Sequence, residues 1–188
     1  MAVARSRSSC EAGASRIGAT TGWSIFAIAW FGSTKRRRPR ERDVAEAALW
    51  YHDVVYQPGA ADNEARSAEL GRAALLEGGV AKDIADEVAR LVRVTDHARP
   101  PEDPVAGLVC DVDLSILGRP PDEFSAYEQR IREEYRHVPE SLYRSGRSRV
   151  LARLLARDPL FVTLHFRSRF ETPARRNLAR SLKDLGEG

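Results

Sequence analysis

The sequence predicts an all-α protein, a single helical bundle behind a patternless N-terminal stretch. Three observations carry that expectation. From Asp43 onward apolar residues recur at three- and four-residue spacing almost without interruption, as in helices that each bury one face. Pro58-Gly59, Gly78-Gly79, Pro100-Pro101 and Gly118 cut the pattern into helix-sized pieces. Neither strand alternation nor an Asn-Gly hairpin signal is found. The 188 residues suit one core. A composition of 43% hydrophobic and 30% charged residues excludes a wholly disordered or collagen-like chain.

Each element has its own local reason. Asp43 is expected to cap a first helix carrying Val44, Ala47, Ala48, Trp50 and Tyr51, ending near Val55. Asp62 or Asn63 caps a second, with Ala65, Ala68, Leu70, Ala73, Leu75 and Leu76 as its apolar stripe and Gly78-Gly79 as its stop. A third runs from Val80 to about Val94 on Ile84, Val88, Leu91 and Val92. After a Pro-marked loop, Leu108 to Leu117 is an apolar helix closed by Gly118. Asp122 caps a helix through about Val138, and Glu140 to Ala156 forms another with Leu142, Tyr143, Val150, Leu151, Leu154 and Leu155 inward. Phe161 to Leu164 reads as extended, and Thr172-Pro173 opens a last helix as cap and first residue. The expectation is six or seven helices over residues 43–185.

Residues 1–42 are expected to be a separate, basic leader. Residues 1–43 hold nine Lys/Arg against three Asp/Glu, and the remainder twenty-one against twenty-four. The helical body is thus mildly acidic, which argues against a specific nucleic-acid partner, since phosphate binding needs a clustered positive face. The apolar run Trp23–Phe31 is too short for a transmembrane helix, which takes about 20 residues. It is followed by Lys35-Arg36-Arg37-Arg38 where a signal peptide would place its small-residue cleavage site. Cytoplasmic placement is the expectation, and two cysteines, Cys10 and Cys110, leave no disulfide framework or zinc knuckle.

No GxSxG elbow, Walker loop, GxGxxG or HExxH is present, so those chemistries lose their sequence support. What remains is His52-Asp53 at a helix end, His97 in a loop, and Asp111 and Asp113 in the apolar run Leu108–Leu114. Adjacent His and Asp lie about 100° apart around a helix and converge on one cleft only near its end. Imidazole with carboxylate suits Mn²⁺, Mg²⁺, Fe²⁺, Co²⁺, Ni²⁺ or Zn²⁺. Such an ion acidifies a bound water and neutralises phosphoryl oxygen. The plainer alternatives are a helix-terminal histidine favoured by the helix dipole and two surface acids. The apolar neighbours of Asp111 and Asp113 strain the second of these, because a buried carboxylate needs a partner.

Read in order, Leu49-Trp50-Tyr51-His52-Asp53-Val54-Val55-Tyr56, Asp62-Asn63-Glu64-Ala65-Arg66-Ser67-Ala68, Thr95-Asp96-His97 and Cys110-Asp111-Val112-Asp113-Leu114-Ser115-Ile116-Leu117-Gly118 resemble the HD superfamily of metal-dependent phosphohydrolases. Glu134 to Pro139, Gly146 to Leu151 and Ala174 to Ala179 continue the likeness, which covers roughly residues 43–183. The resemblance implies an all-helical HD fold, a divalent metal ion and hydrolysis of a phosphate ester, with a small phosphorylated substrate. It implies His52, Asp53 and Asp111 as metal ligands, Asp53 able to bridge a second ion, and Glu64 as the group that orients or deprotonates water. His97 and Asp113 are implied at a second metal or at the substrate, and Arg147 and Arg149 at phosphate oxygens.

The sequence departs from the family in one respect. HD proteins take a first metal-ligating histidine from a helix upstream of the His-Asp pair, and here no histidine precedes His52. The whole chain holds 27 Arg against 3 Lys, as in a GC-rich genome, and the leader has the composition of a frameshifted or misassigned start; divergence that discarded the ligand is the alternative. The loss leaves two readings of function, a hydrolase or a catalytically impaired helical module that binds a nucleotide or protein partner. It also predicts an uncovered apolar groove, with Trp23–Phe31 as a short helix lying on it or two copies pairing through it as a homodimer.

Overall fold

The structure, a computed structural model, describes residues 39–186; the expectations for the leader lie outside the described residues. Seven α-helices and two 3₁₀ turns follow one another: α1 Pro39–Tyr51, α2 Asn63–Glu77, α3 Lys82–Arg93, a turn at Val94–Asp96, α4 Pro104–Asp113, a turn at Leu114–Gly118, α5 Pro121–Glu134, α6 Glu140–Leu155 and α7 Leu164–Gly186. Among the described residues there is no strand. The protein is all-α.

The hydrophobic helix α4 runs through the centre. Every residue from Ala106 to Val112 is buried, which suits a segment apolar on all sides and gives it no solvent face. Asp103 caps it, its Oδ1 accepting the N–H of Val105 at 2.8 Å and of Ala106 at 2.9 Å, with Pro104 at the first helical position. On one side α1, α2 and α3 pack together. On the other, α7 packs against α6 and the 114–118 turn.

Several boundaries and faces differ from the sequence reading, each for a physical reason. Helix α1 starts at Pro39, so Asp43 lies inside it rather than capping it, and it ends at Tyr51 rather than near Val55. Pro121 rather than Asp122 opens α5, which stops at Glu134. Trp50, Leu70, Leu142 and Val150 are exposed, Leu142 to 64%. The buried face of α2 is instead Asn63, Ser67, Ala68 and Gly71. Small residues there let α1 approach: a Cβ on Gly71 would lie 2.7 Å from Cγ of Tyr51, the residue before His52.

The last helix is the largest correction. It begins at Leu164 and runs through Pro173 instead of starting there. An interior proline removes one backbone hydrogen bond and costs about 3 kcal/mol. Burial of Phe166, Phe170, Ala174, Asn177 and Leu178 along one continuous face offsets it. Among the described residues no helix is long and apolar enough to cross a membrane.

Candidate functional site

Three segments distant in sequence bring two imidazoles and two carboxylates together. His52 and Asp53 follow the last residue of α1, His97 follows the Val94–Asp96 turn, and Asp113 ends α4. Nε2 of His97 stands 2.7 Å from Oδ2 of Asp113. Nε2 of His52 stands 3.4 Å from Oδ1 of the same carboxylate and 3.3 Å from Oδ2 of Asp53. The side chains of His52 and His97 are 16% and 12% exposed, and that of Asp113 25%.

Each side chain is held from behind. Nδ1–H of His52 donates to the Leu49 carbonyl at 2.8 Å, which orients the ring and aims Nε2 at the two acids. His97 has φ of +53°, and among the described residues no other non-glycine residue has positive φ. Backbone strain of that kind persists only where the surroundings impose it, and it concentrates at functional sites. Arg157 grips the His97 carbonyl, Nη2 donating at 2.5 Å. The loop after Asp53 is clamped by α2: Ser67 Oγ accepts the Val55 N–H at 3.0 Å and donates to the Val55 carbonyl at 3.1 Å. Asn63 likewise accepts the Gln57 N–H and donates to the Gln57 carbonyl, both at 2.9 Å.

The charges are strongly coupled. Burial works against a charged His52, but the carboxylates of Asp113 and Asp53 outweigh it and hold the ring well above its usual range. Burial would likewise raise Asp113, yet hydrogen bonds and charge from His52 and His97 pull its carboxyl well below the ordinary carboxylate value.

Asp111 is not part of this cluster. It is 1% exposed and faces the start of α7. Its Oδ1 accepts the Val162 N–H at 2.8 Å, and its Oδ2 accepts the Thr163 N–H at 2.7 Å and the Thr163 hydroxyl at 2.6 Å. Its carboxyl is raised by burial despite those bonds. The geometry therefore sets Asp113, rather than the Asp111 that the resemblance implied, beside the histidines.

Glu64 is half-buried in the first turn of α2. Arg147 is turned to a structural partner: its guanidinium grips the Glu128 carboxylate, one contact at 3.3 Å, and lies 5.7 Å over the Tyr127 ring. Arg149 is exposed on α6. His137 and His165 are exposed; the first stacks on Tyr135 and the second meets Phe166 edge-on.

Asn63, Ser67 and Arg157 escaped the sequence reading as positioning residues. The first two lie inside a quoted motif, which was the available signal. Arg157 had none.

Among the described residues no group of three or more His, Cys, Asp or Glu side chains is drawn around a point to hold a metal ion; the four groups here are tied pairwise. Comparison with protein-family models, curated proteins and solved structures finds no match.

Proposed function

We propose that the chain hydrolyses a phosphate ester with a divalent cation held by His52, Asp53 and Asp113, as a member of the HD superfamily its motifs resemble. The observation that carries this reading is the meeting of His52, Asp53, His97 and Asp113 in one half-buried spot. With Nδ1 donating to Leu49, a neutral His52 turns a lone pair toward two carboxylates. That arrangement calls for positive charge between them, from a proton or a cation.

A bound divalent ion supplies an acidified water and neutralises phosphoryl oxygen. The chain's own groups do the rest. The Leu49 carbonyl fixes the His52 ring, Asn63 and Ser67 hold the loop carrying Asp53 in place, and Asp113 binds one imidazole on each oxygen. His97, hydrogen-bonded to Asp113, would give a proton to a leaving oxygen.

A second reading, a module that binds a nucleotide or protein partner without turnover, is favoured by the pairwise ties, above all the 2.7 Å His97–Asp113 bond. That is closer than two donors on one ion stand.

One experiment separates the two. Mn²⁺, Mg²⁺, Co²⁺ and Ni²⁺ are titrated calorimetrically into the purified chain, and hydrolysis of p-nitrophenyl phosphate is followed in parallel. Binding with hydrolysis, both lost in His52→Ala and Asp113→Ala, is the expected result. Binding without hydrolysis selects the second reading. No binding at millimolar ion overturns the metal centre.

A further inference from the structure

We propose that Arg157, with Arg153 one turn before it, forms an anion site beside the His–Asp cluster that takes a phosphoryl group of two negative charges. Helix α6 ends at Leu155, but backbone bonds carry the coil onward, Ala156 N–H to Ala152 at 3.0 Å and Arg157 N–H to Leu154 at 3.1 Å. Arg153 and Arg157, four residues apart, therefore stand on one face. Arg157 is half-buried; its carbonyl accepts from Arg175 Nη2 at 2.6 Å, and the one hydrogen bond its guanidinium makes to a described residue runs from Nη2 to the His97 carbonyl. A guanidinium has five N–H donors, so most of the fork is uncommitted.

The neighbouring arginines are occupied. Arg147 grips Glu128, and Arg175 grips Glu171. Neither Arg153 nor Arg157 has a carboxylate within ion-pairing distance among the described residues. Burial and the charge of Arg153 both press the Arg157 guanidinium below its usual value, so the pair repels itself until an anion arrives. A partly desolvated cation without a counter-ion costs free energy, and the planar fork matches two phosphate oxygens. Arg157 holds the main chain of His97, the residue whose ring meets Asp113.

Anion binding stands without hydrolysis; only its assignment to a substrate rests on the proposed function. The phosphoryl group comes either from an organic phosphate or from free inorganic phosphate. The test titrates inorganic phosphate and a nucleoside 5′-monophosphate calorimetrically into the full chain and into Arg157→Gln, Arg153→Gln and Arg130→Gln. The expected loss is about tenfold in affinity for Arg157→Gln and about threefold for Arg153→Gln, as removal of charge-assisted hydrogen bonds gives. Arg130, exposed on α5, serves as the charge control and leaves binding unchanged. Tighter nucleotide binding marks the substrate as the source, and equal or tighter inorganic phosphate marks the free ion; both support the site. Should Arg157→Gln fail to fold, Arg153→Gln and Arg157→Lys, which keeps the charge but loses the fork, carry the test. Affinity within twofold of the parent in both Gln variants overturns the proposal, as does a parent chain that binds no phosphate at about 10 mM. Run in the presence of EDTA, the same titrations read the two arginines without any bound cation, which distinguishes failure of this site from failure of the metal reading.

Discussion

Asp111 and Asp113 lie two residues apart on one helix, about 200° around its axis, so they cannot serve the same neighbour. Asp111 accepts three hydrogen bonds from Val162 and Thr163 and fastens the start of α7. Asp113 takes the two imidazoles. Truncating the first leaves two partly buried backbone N–H groups without their acceptor. Asp111→Ala is therefore expected to lower the unfolding free energy by about 3 kcal/mol in urea titration while leaving cation binding intact. Asp113→Ala should abolish cation binding. The opposite pattern would return the ligand role to the first acid, as the family resemblance implies. Both acids were visible in the sequence as residues that want partners. Which partner each receives depends on what packs against each side of α4, and that is not a property of the local sequence.

At the scale of elements, α7 and its junctions decide how firmly the site is backed. The 114–118 turn lies so close to α7 that a Cβ on Gly118 would fall 2.6 Å from Cβ of Phe170 and 2.9 Å from its carbonyl oxygen. Gly118→Ala is expected to cost about 1–3 kcal/mol, as overpacking does, read as a fall in denaturation midpoint. Glu171 secures the segment before α7 by accepting the N–H of Leu160 and of Phe161, both at 3.0 Å, and pairing with Arg175. Burial alone would raise its carboxyl, but those two N–H groups and Arg175 outweigh it and hold it below the ordinary value of 4.5. A depressed carboxylate contributes stability that is fully present above its unfolded value and is lost as pH falls through the folded one. Stability should thus decline in acid from pH 4.5 downward, and Glu171→Gln should flatten that limb of a pH–stability curve. Helix α2 acts on the site through Ser67, which both donates to and accepts from Val55. Ser67→Ala is expected to weaken cation affinity about tenfold or more, as removal of supporting hydrogen bonds does at metal centres.

For the whole molecule, the expected signature of the proposed metal centre is a linked stabilisation. A ligand at about 100 times its Kd adds about 2.7 kcal/mol, which for a domain of this size raises Tm by about 5–11 °C. Mn²⁺ should produce such a rise in the parent chain and none in His52→Ala, measured by calorimetry. What the sequence determined alone was local: the all-α class, the limits of some helices, the Gly78-Gly79 stop, and His52, Asp53, His97, Asp111 and Asp113 as residues of interest. Spacing and capping act within a few residues, so one chain read in order suffices for them. The tertiary structure alone decided which face of each helix is covered, leaving Trp50, Leu70 and Leu142 in water. It decided that α7 continues through Pro173, because a buried face on both sides outweighs one lost hydrogen bond. It also separated Asp113 from Asp111, bound Arg147 to Glu128, and brought Arg157 to His97 across sixty residues. Rotation of a helix about its axis and the approach of distant segments depend on packing of the entire core, and no local pattern encodes them.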